Sequence, residues 1–205
     1  AGTLFAERKV SANSTPPFFY DVYKSVDNGA TWQLLLDSTT IHGLGETSTG
    51  TLFGLRDSTT YLQTVARSEN NGANWSTVKP LDSQADYYYQ VEIGGYDEVW
   101  VGFSDEAGAT YAYYSHDNGA TWKSKYISGV EESFVHTFSN TLLYKNSSKI
   151  CRYDAAGNTT CFLIDSSLAF NYNFVYGIYK LPDSSIYAAT TSYRYKSVDD
   201  GITWQ

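Results

Sequence analysis

The chain has 205 residues, a size that a single all-β domain can reach, and a formal net charge of −8. That charge, with Lys and Arg scattered rather than clustered, argues against a nucleic-acid or anionic-membrane surface, since neither offers an acidic protein the counterion release that drives such binding. Tyr at 19, Phe at 10 and Trp at 5, against 18% charged residues, favour strands over solvated helices, and no apolar run approaches the roughly 20 residues of a membrane span.

In chain order the sequence predicts short strands in a recurring series. After an opening AGTLFAERKV with no signal-peptide pattern, a strand GTLFA (2–6) leads to Tyr-rich FFYDVYKS (18–25), the segment SVDNGATW (25–32) and a strand WQLLLDS (32–38). IHGLGET (41–47), GTLFG (50–54), TYLQTVARS (60–68), SENNGANW (68–75) and WSTVKPL (75–81) follow the same plan with one more strand in front. A third round runs through YQVEIGG (89–95), DEVWVGF (97–103), TYAYYS (110–115), SHDNGATW (115–122) and WKSKYIS (122–128). The fourth has FVHTFS (134–139) and NTLLYK (140–145) but no matching segment; the fifth has FVYGIYK (174–180), SSIYAAT (184–190), TSYRYKS (191–197) and SVDDGITW (197–204). Period-2 alternation with β-branched and aromatic residues supports each strand.

The fourth round holds both cysteines, Cys151 and Cys161, on either side of RYDAAGNTT. On the facing strands of a hairpin they are placed for a disulfide, which points to an oxidising, secreted or cell-surface location; two free buried thiols are the alternative. Of the N-x-S/T triplets, Asn13, Asn146 and Asn158 are candidate glycosylation sites, while Asn74 immediately precedes Trp75.

The four eight-residue segments end at Trp32, Trp75, Trp122 and Trp204, separated by 43, 47 and 82 residues, the last interval spanning two units. A period of about 43 with several strands per unit is the mark of a propeller blade. The expected fold is therefore all-β: one domain over 1–205, a propeller of five four-stranded blades around segments 25–32, 68–75, 115–122, a degenerate 151–161, and 197–204.

The pattern Ser-x-Asp-x-Gly-x-Thr-Trp resembles the Asp-box, or bacterial neuraminidase repeat, of sialidases, some endoglucanases and xyloglucanases, and sortilin-type receptors. Unit two departs from it at Asn70 and Asn74. In each box the acid (Asp27, Asp117, Asp199, with Asn70 in unit two) is placed to accept hydrogen bonds from its own turn, and Gly29, Gly119 and Gly201 suit a positive φ. Ser25 and its counterparts close the third strand, and Trp32, Trp75, Trp122 and Trp204 are expected to fill the gaps between blades. The resemblance implies a structural role for these residues, on the face away from the family's active sites. In unit four, the disulfide is expected to replace the hydrogen-bonded lock.

The same resemblance raises the question of glycoside hydrolysis. Sialidases use an arginine triad, and this chain has five arginines, of which Arg67, Arg152 and Arg194 adjoin boxes; only Arg8 and Arg56 remain, so the triad fails. A glycosidase acting through two carboxylates needs a pair flanking the scissile bond. Acids on inner strands or their exits are Glu46, Asp86, Glu92, Asp97 and Glu98, with Glu92 and Asp97 the weak catalytic candidates. His42, His116 and His136 are dispersed, no metal site is indicated, and no cofactor fingerprint occurs. GLGETSTG (43–50) reads as a turn between strands.

A binding role rests on aromatic and polar residues near inner-strand ends, namely His42, Tyr88, Glu92, Trp100 and Tyr176, which suit either glycan contact or packing between blades. The expectation is a non-enzymatic extracellular binding or scaffold propeller for glycan or a protein partner. The alternatives are the propeller part of a sialidase- or xyloglucanase-type hydrolase and a structural subunit of an extracellular filament or virion appendage. Because the series opens on a second strand and stops where a fourth should begin, closure is expected to need further chain or self-association through strand pairing.

Overall fold

The computed structural model describes residues 3–59, 63–79, 85–94, 97–105, 110–126, 134–137, 141–146, 148–154, 158–164, 175–181, 183–190 and 193–205, with side chains except at 85–90, 104–105, 110 and 125. Its strands form five antiparallel sheets, each a meander in sequence order. The first holds β1 (Leu4–Lys9), β2 (Tyr20–Ser25) and β3 (Gln33–Thr39); the second β4 (Ile41–Glu46), β5 (Leu52–Asp57), β6 (Gln63–Ser68) and β7 (Ser76–Lys79). The third holds β8 (Ala85–Ile93), β9 (Val99–Asp105), β10 (Thr110–Ser115) and β11 (Lys123–Tyr126); the fourth β12 (Phe134–His136), β13 (Leu142–Asn146), β14 (Lys149–Tyr153) and β15 (Thr159–Phe162). The fifth holds β16 (Val175–Lys180), β17 (Ile186–Thr190) and β18 (Arg194–Ser197).

The arrangement is a five-bladed β-propeller. Among the described residues the second, third and fourth sheets have four strands and the first and fifth have three. In the first, β1 corresponds to the second strand of the other blades and is innermost. In the fifth, the rung that would start a fourth strand is present, as Lys196 and Gln205 exchange backbone hydrogen bonds at 2.8 and 2.9 Å.

The core lies between blades. Phe53, Leu55 and Val65 of the second sheet pack with Val91, Val99, Val101 and Phe103 of the third. Trp100 and Ala112 of the third meet Phe134, Leu142 and Tyr144 of the fourth, and Leu143 and Ile150 of the fourth meet Ile178 and Ile186 of the fifth. Small residues permit this closeness: a Cβ on Gly102 would stand 2.5 Å from the Phe134 ring across the third and fourth sheets. Phe5, Leu44, Val91, Val135 and Ile178, one from each sheet, line the central channel.

Cys151 and Cys161 face each other across β14 and β15 and are disulfide-bonded, Cα to Cα 4.0 Å. Closing so short a loop, ten residues along the chain, restricts the unfolded state by about 2–3 kcal/mol. A Cys151→Ala/Cys161→Ala variant is expected to lose stability of that order in urea unfolding, and an unchanged midpoint would contradict it.

Candidate functional site

Strand pairing decides which end of the channel each side chain occupies. Glu46 pairs with Leu52 and Leu52 with the box residue Ser68; Ile93, Val99 and Ser115 form the same row, as do Lys180, Ile186 and Ser197. Turns from first to second strands therefore share one end of the propeller with the boxes. His42, Asp57, Gln63 and Tyr20 lie at the other end, where second strands turn into third.

Each box is closed by the same bonds. Ser25 Oγ donates to Asp27 Oδ1 at 2.7 Å and accepts from Gly29 N at 2.8 Å; Asp27 Oδ1 accepts from Thr31 N at 2.8 Å and Oδ2 from Thr31 Oγ1 at 2.6 Å. Trp32 Nε1 donates to Gly29 O at 3.0 Å. Units three and five repeat the set around Asp117 and Asp199. Asn70 accepts from Ser68 and Asn74 N in unit two but makes no bond matching the Thr hydroxyl. Gly29, Gly72, Gly119 and Gly201 all have φ between +78° and +88°, where a Cβ would be strained.

Two expectations about the boxes need correction. Trp32 is 42% exposed rather than a buried filler, although its Nε1 makes the same bond to the box glycine as Trp122 and Trp204, which are half-buried against the cores beside them. In unit four the disulfide does not replace the lock: Asp154 Oδ1 still accepts from Asn158 N at 2.9 Å, and Oδ2 from Asn158 Nδ2 at 3.2 Å. What is lost there is the serine and the tryptophan. Asn158 and Asn13 are exposed, and Asn146 is half-buried at the end of β13.

The first and second, second and third, and fourth and fifth blades are joined at the boxes by a cation from the third strand of the preceding sheet. Lys24 Nζ reaches Asn71 Oδ1 at 3.4 Å, Arg67 Nη1 reaches Asn118 O at 2.8 Å, and Arg152 Nη2 lies 3.6 Å from Asp200 Oδ2. Arg56 bonds Thr77 and Trp75 O, Arg8 pairs with Asp21, and Arg194 is exposed. The five arginines are thus dispersed, and none is among the described residues that line the channel.

The sequence candidates divide between the two ends. Asp97, at φ +58°, takes bonds from Ser48 N (2.6 Å) and Ser48 Oγ (2.5 Å), linking inner turns of the second and third sheets at the box end. Glu98 is buried there with His116 Nδ1 at 2.5 Å, His136 Nε2 at 3.2 Å and Trp100 Nε1 at 3.4 Å. Trp100 is 5% exposed and stacks on Tyr114 and His136, which makes it a packing residue rather than a ligand platform. Burial pushes His136 down to about 4 despite Glu98. Lys180 Nζ donates across the channel to Ile93 O (3.0 Å) and His136 O (2.7 Å), and burial lowers its pKa against the pull of Glu92. Glu46 pairs with Lys24 at 2.7 Å. Among the described residues no cluster of three His, Cys, Asp or Glu side chains could hold a metal ion.

The opposite end gathers a different set. Asp57 Oδ1 accepts from Gln63 Nε2 at 2.8 Å and lies 3.2 Å from His42 Nε2. Burial works to raise the Asp57 pKa, but the bonds from His42 and Gln63 hold it below the usual range. His42 Nε2 also lies 3.2 Å from Gln63 Nε2, so the three side chains form one cluster. Tyr20 stacks on His42 with centroids 4.7 Å apart and is pushed up to about 12 by burial and then by Asp57 and Glu7, so its hydroxyl keeps its proton. Glu7 accepts from Gly43 N. A cavity of about 650 Å³ runs inward from this end, lined by Glu7, Gly43 and Tyr176 and, deeper towards the box row, by Glu92 and Tyr179. The Tyr88 and Asp86 side chains lie outside the described ones.

Three inner strands break register in this half: β4 between His42 and Gly45, β8 between Ala85 and Tyr87 and again between Tyr88 and Gln90, and β16 between Val175 and Gly177. Bulges re-aim side chains locally. Tyr176 is the extra residue of the last and is 61% exposed. Tyr20, Asp57 and Gln63 were not among the sequence candidates.

Asp27, Asp117 and Asp199 are each lowered from 3.8 to about 2, chiefly by the Thr hydroxyl bond. Because folding depresses these pKa values, their stabilisation is complete above about pH 4 and lost as pH falls towards about 2. Thermal midpoints followed by circular dichroism are expected to drop across that window; a flat profile would contradict the assignment. Ser115→Ala, which leaves the buried Gly119 N–H unpaired, is expected to cost about 1–3 kcal/mol in urea unfolding.

The BNR/Asp-box repeat model matches residues 113–124, the third box and its flanks. No curated protein sequence matches the chain. Among solved structures, a gluconolactonase from Xanthomonas campestris is similar with a TM-score of 0.59 and 10% identity over 84% of this chain and 65% of its own. YCF48 bound to D1 peptide gives 0.58 and 17%, over 92% and 60%. The intramolecular trans-sialidase from Ruminococcus gnavus gives 0.55 and 14%, over 87% and 47%. The chain thus spans less than two thirds of each of these three, and at such identities the likeness concerns the fold. Four box turns at blade spacing, the repeat-model match and five sheets around one channel converge: the chain is a five-bladed β-propeller carrying the BNR/Asp-box repeat.

Proposed function

We propose that the chain is a non-enzymatic extracellular binding propeller that holds a glycan at the channel mouth opposite the boxes. The observation that carries this reading is the set of bulged inner strands at that mouth, one of which turns the exposed Tyr176 out beside a cavity that also contains Glu7 and, deeper in the channel, Glu92. An aromatic plane stacks on a pyranose face, and carboxylates accept from its hydroxyls. The nearby Tyr20 hydroxyl, which keeps its proton, adds a donor. The Cys151–Cys161 disulfide supports an oxidising compartment. The remaining candidate acids, Asp97 and Glu98, are engaged at the other end in bonds that tie the fold together, which favours binding over hydrolysis.

A glycan array probed with the native chain and with Tyr176→Ala tests the proposal. At least one glycan is expected to bind above background and to lose about tenfold or more in affinity in the variant. No bound glycan, with peptides captured instead, would transfer the reading to a protein partner. Turnover of sialyl or xyloglucan reporters would overturn its non-enzymatic part.

A further inference from the structure

Three of the four full boxes place an Asn-Gly pair at the centre of the turn: Asn28-Gly29, Asn71-Gly72 and Asn118-Gly119; the fourth has Asp200-Gly201. In an Asn-Gly pair the glycine nitrogen, unhindered by a neighbouring Cβ, can attack the side-chain carbonyl carbon of the asparagine. A C–N bond forms, the side-chain amide leaves as ammonia with the proton of the glycine nitrogen, and water then opens the cyclic imide to aspartate or isoaspartate. Water is the only co-reactant.

In these boxes the attacking nitrogen is engaged. Gly29, Gly72 and Gly119 each donate their N–H to the box serine, Ser25, Ser68 or Ser115, at 2.8, 2.9 and 2.8 Å, and each serine is 1% exposed. A bond from that N–H to a buried hydroxyl opposes loss of the proton and keeps base away, so reaction requires local opening of the turn. The turn also accommodates an acid at the same position. Asp200, at φ +63° against +53° to +59° for the three asparagines, lies 3.6 Å from Arg152 of the preceding sheet. Asn71 has Lys24 in the equivalent place, 3.4 Å from Oδ1, where the same ammonium also holds Glu46 at 2.7 Å and an acid at 71 would share it.

We propose that the box Asn-Gly pairs are deamidation sites held unreacted by the box serine, and that an aspartate formed at position 71 makes an ion pair with Lys24 between the first and second sheets. The folded chain, its urea-unfolded form and a Ser68→Ala variant are incubated at mildly alkaline pH, and amide-to-acid conversion is read at each site by peptide mass spectrometry. The folded chain is expected to convert far more slowly than the unfolded one at all three sites. Ser68→Ala should accelerate Asn71 about tenfold, as loss of one buried hydrogen bond implies, while Asn28 and Asn118 in the same molecule keep their native rates and report that the fold is intact. Equal acceleration at all three sites, or none at Asn71, overturns the serine lock. For the product, Asn71→Asp is expected to raise the thermal midpoint at low salt by about 1–2 °C, and Lys24→Gln to abolish the gain. A midpoint that does not rise overturns the ion pair.

Discussion

Everything in this propeller depends on a turn that must hold its shape where no sheet can support it. The third strand of a blade ends at the surface, where the chain must reverse and return as the outermost strand. In that reversal, backbone N–H groups have no ladder partner. The box meets this need with one carboxylate that takes bonds from the serine hydroxyl, a backbone N–H and the threonine hydroxyl, while the serine takes the glycine N–H. The bonds span at most four residues, so the lock is local and can be copied into any blade. Unit four shows which part is essential. With serine and tryptophan gone, Asp154 and Asn158 keep the carboxylate clamp, and the disulfide adds a covalent tie alongside it.

The division of labour between the two ends of the channel follows. At the box end, Asp97, Glu98, His116, His136 and Lys180 are engaged with one another or with backbone groups, and their chemistry goes into joining blades. At the opposite end the inner strands depart from regular pairing, and polar groups and tyrosines are turned towards a cavity. Rigid joints at one end leave the other free to vary without loss of the fold, a common arrangement for loops carried on a scaffold.

The box was legible in the sequence because its bonds span only two to four residues, and the spacing of four tryptophans made the blade count legible as well. Misplacement began where an assignment depended on pairing between distant segments. Trp100 and Glu92 were grouped with His42 and Tyr176 because all lie near ends of inner or second strands, yet strand direction sends the first two towards the box end and the other two away from it. The order of strands held that signal: a box follows a third strand, so the turn between first and second strands must share its end. The Asp154 clamp was also readable, as an acid four residues before Asn158. The Asp57–His42–Gln63 cluster was not, since it needs β4, β5 and β6 in register, and β4 carries a bulge just past His42 that no local pattern specifies.

The joints at the boxes also have a sense of rotation. Lys24 reaches forward to the second box, Arg67 to the third and Arg152 to the fifth, in each case from the third strand of one blade to the turn of the next. Neighbours are therefore coupled head to tail, like links of a chain that hook in one direction only. Damage to the second box loosens its grip on the first blade, while the third blade keeps hold through Arg67. In a ring assembled from nearest-neighbour contacts, such polarity lets a fault stay at one joint, so that one weakened turn need not release the whole circle.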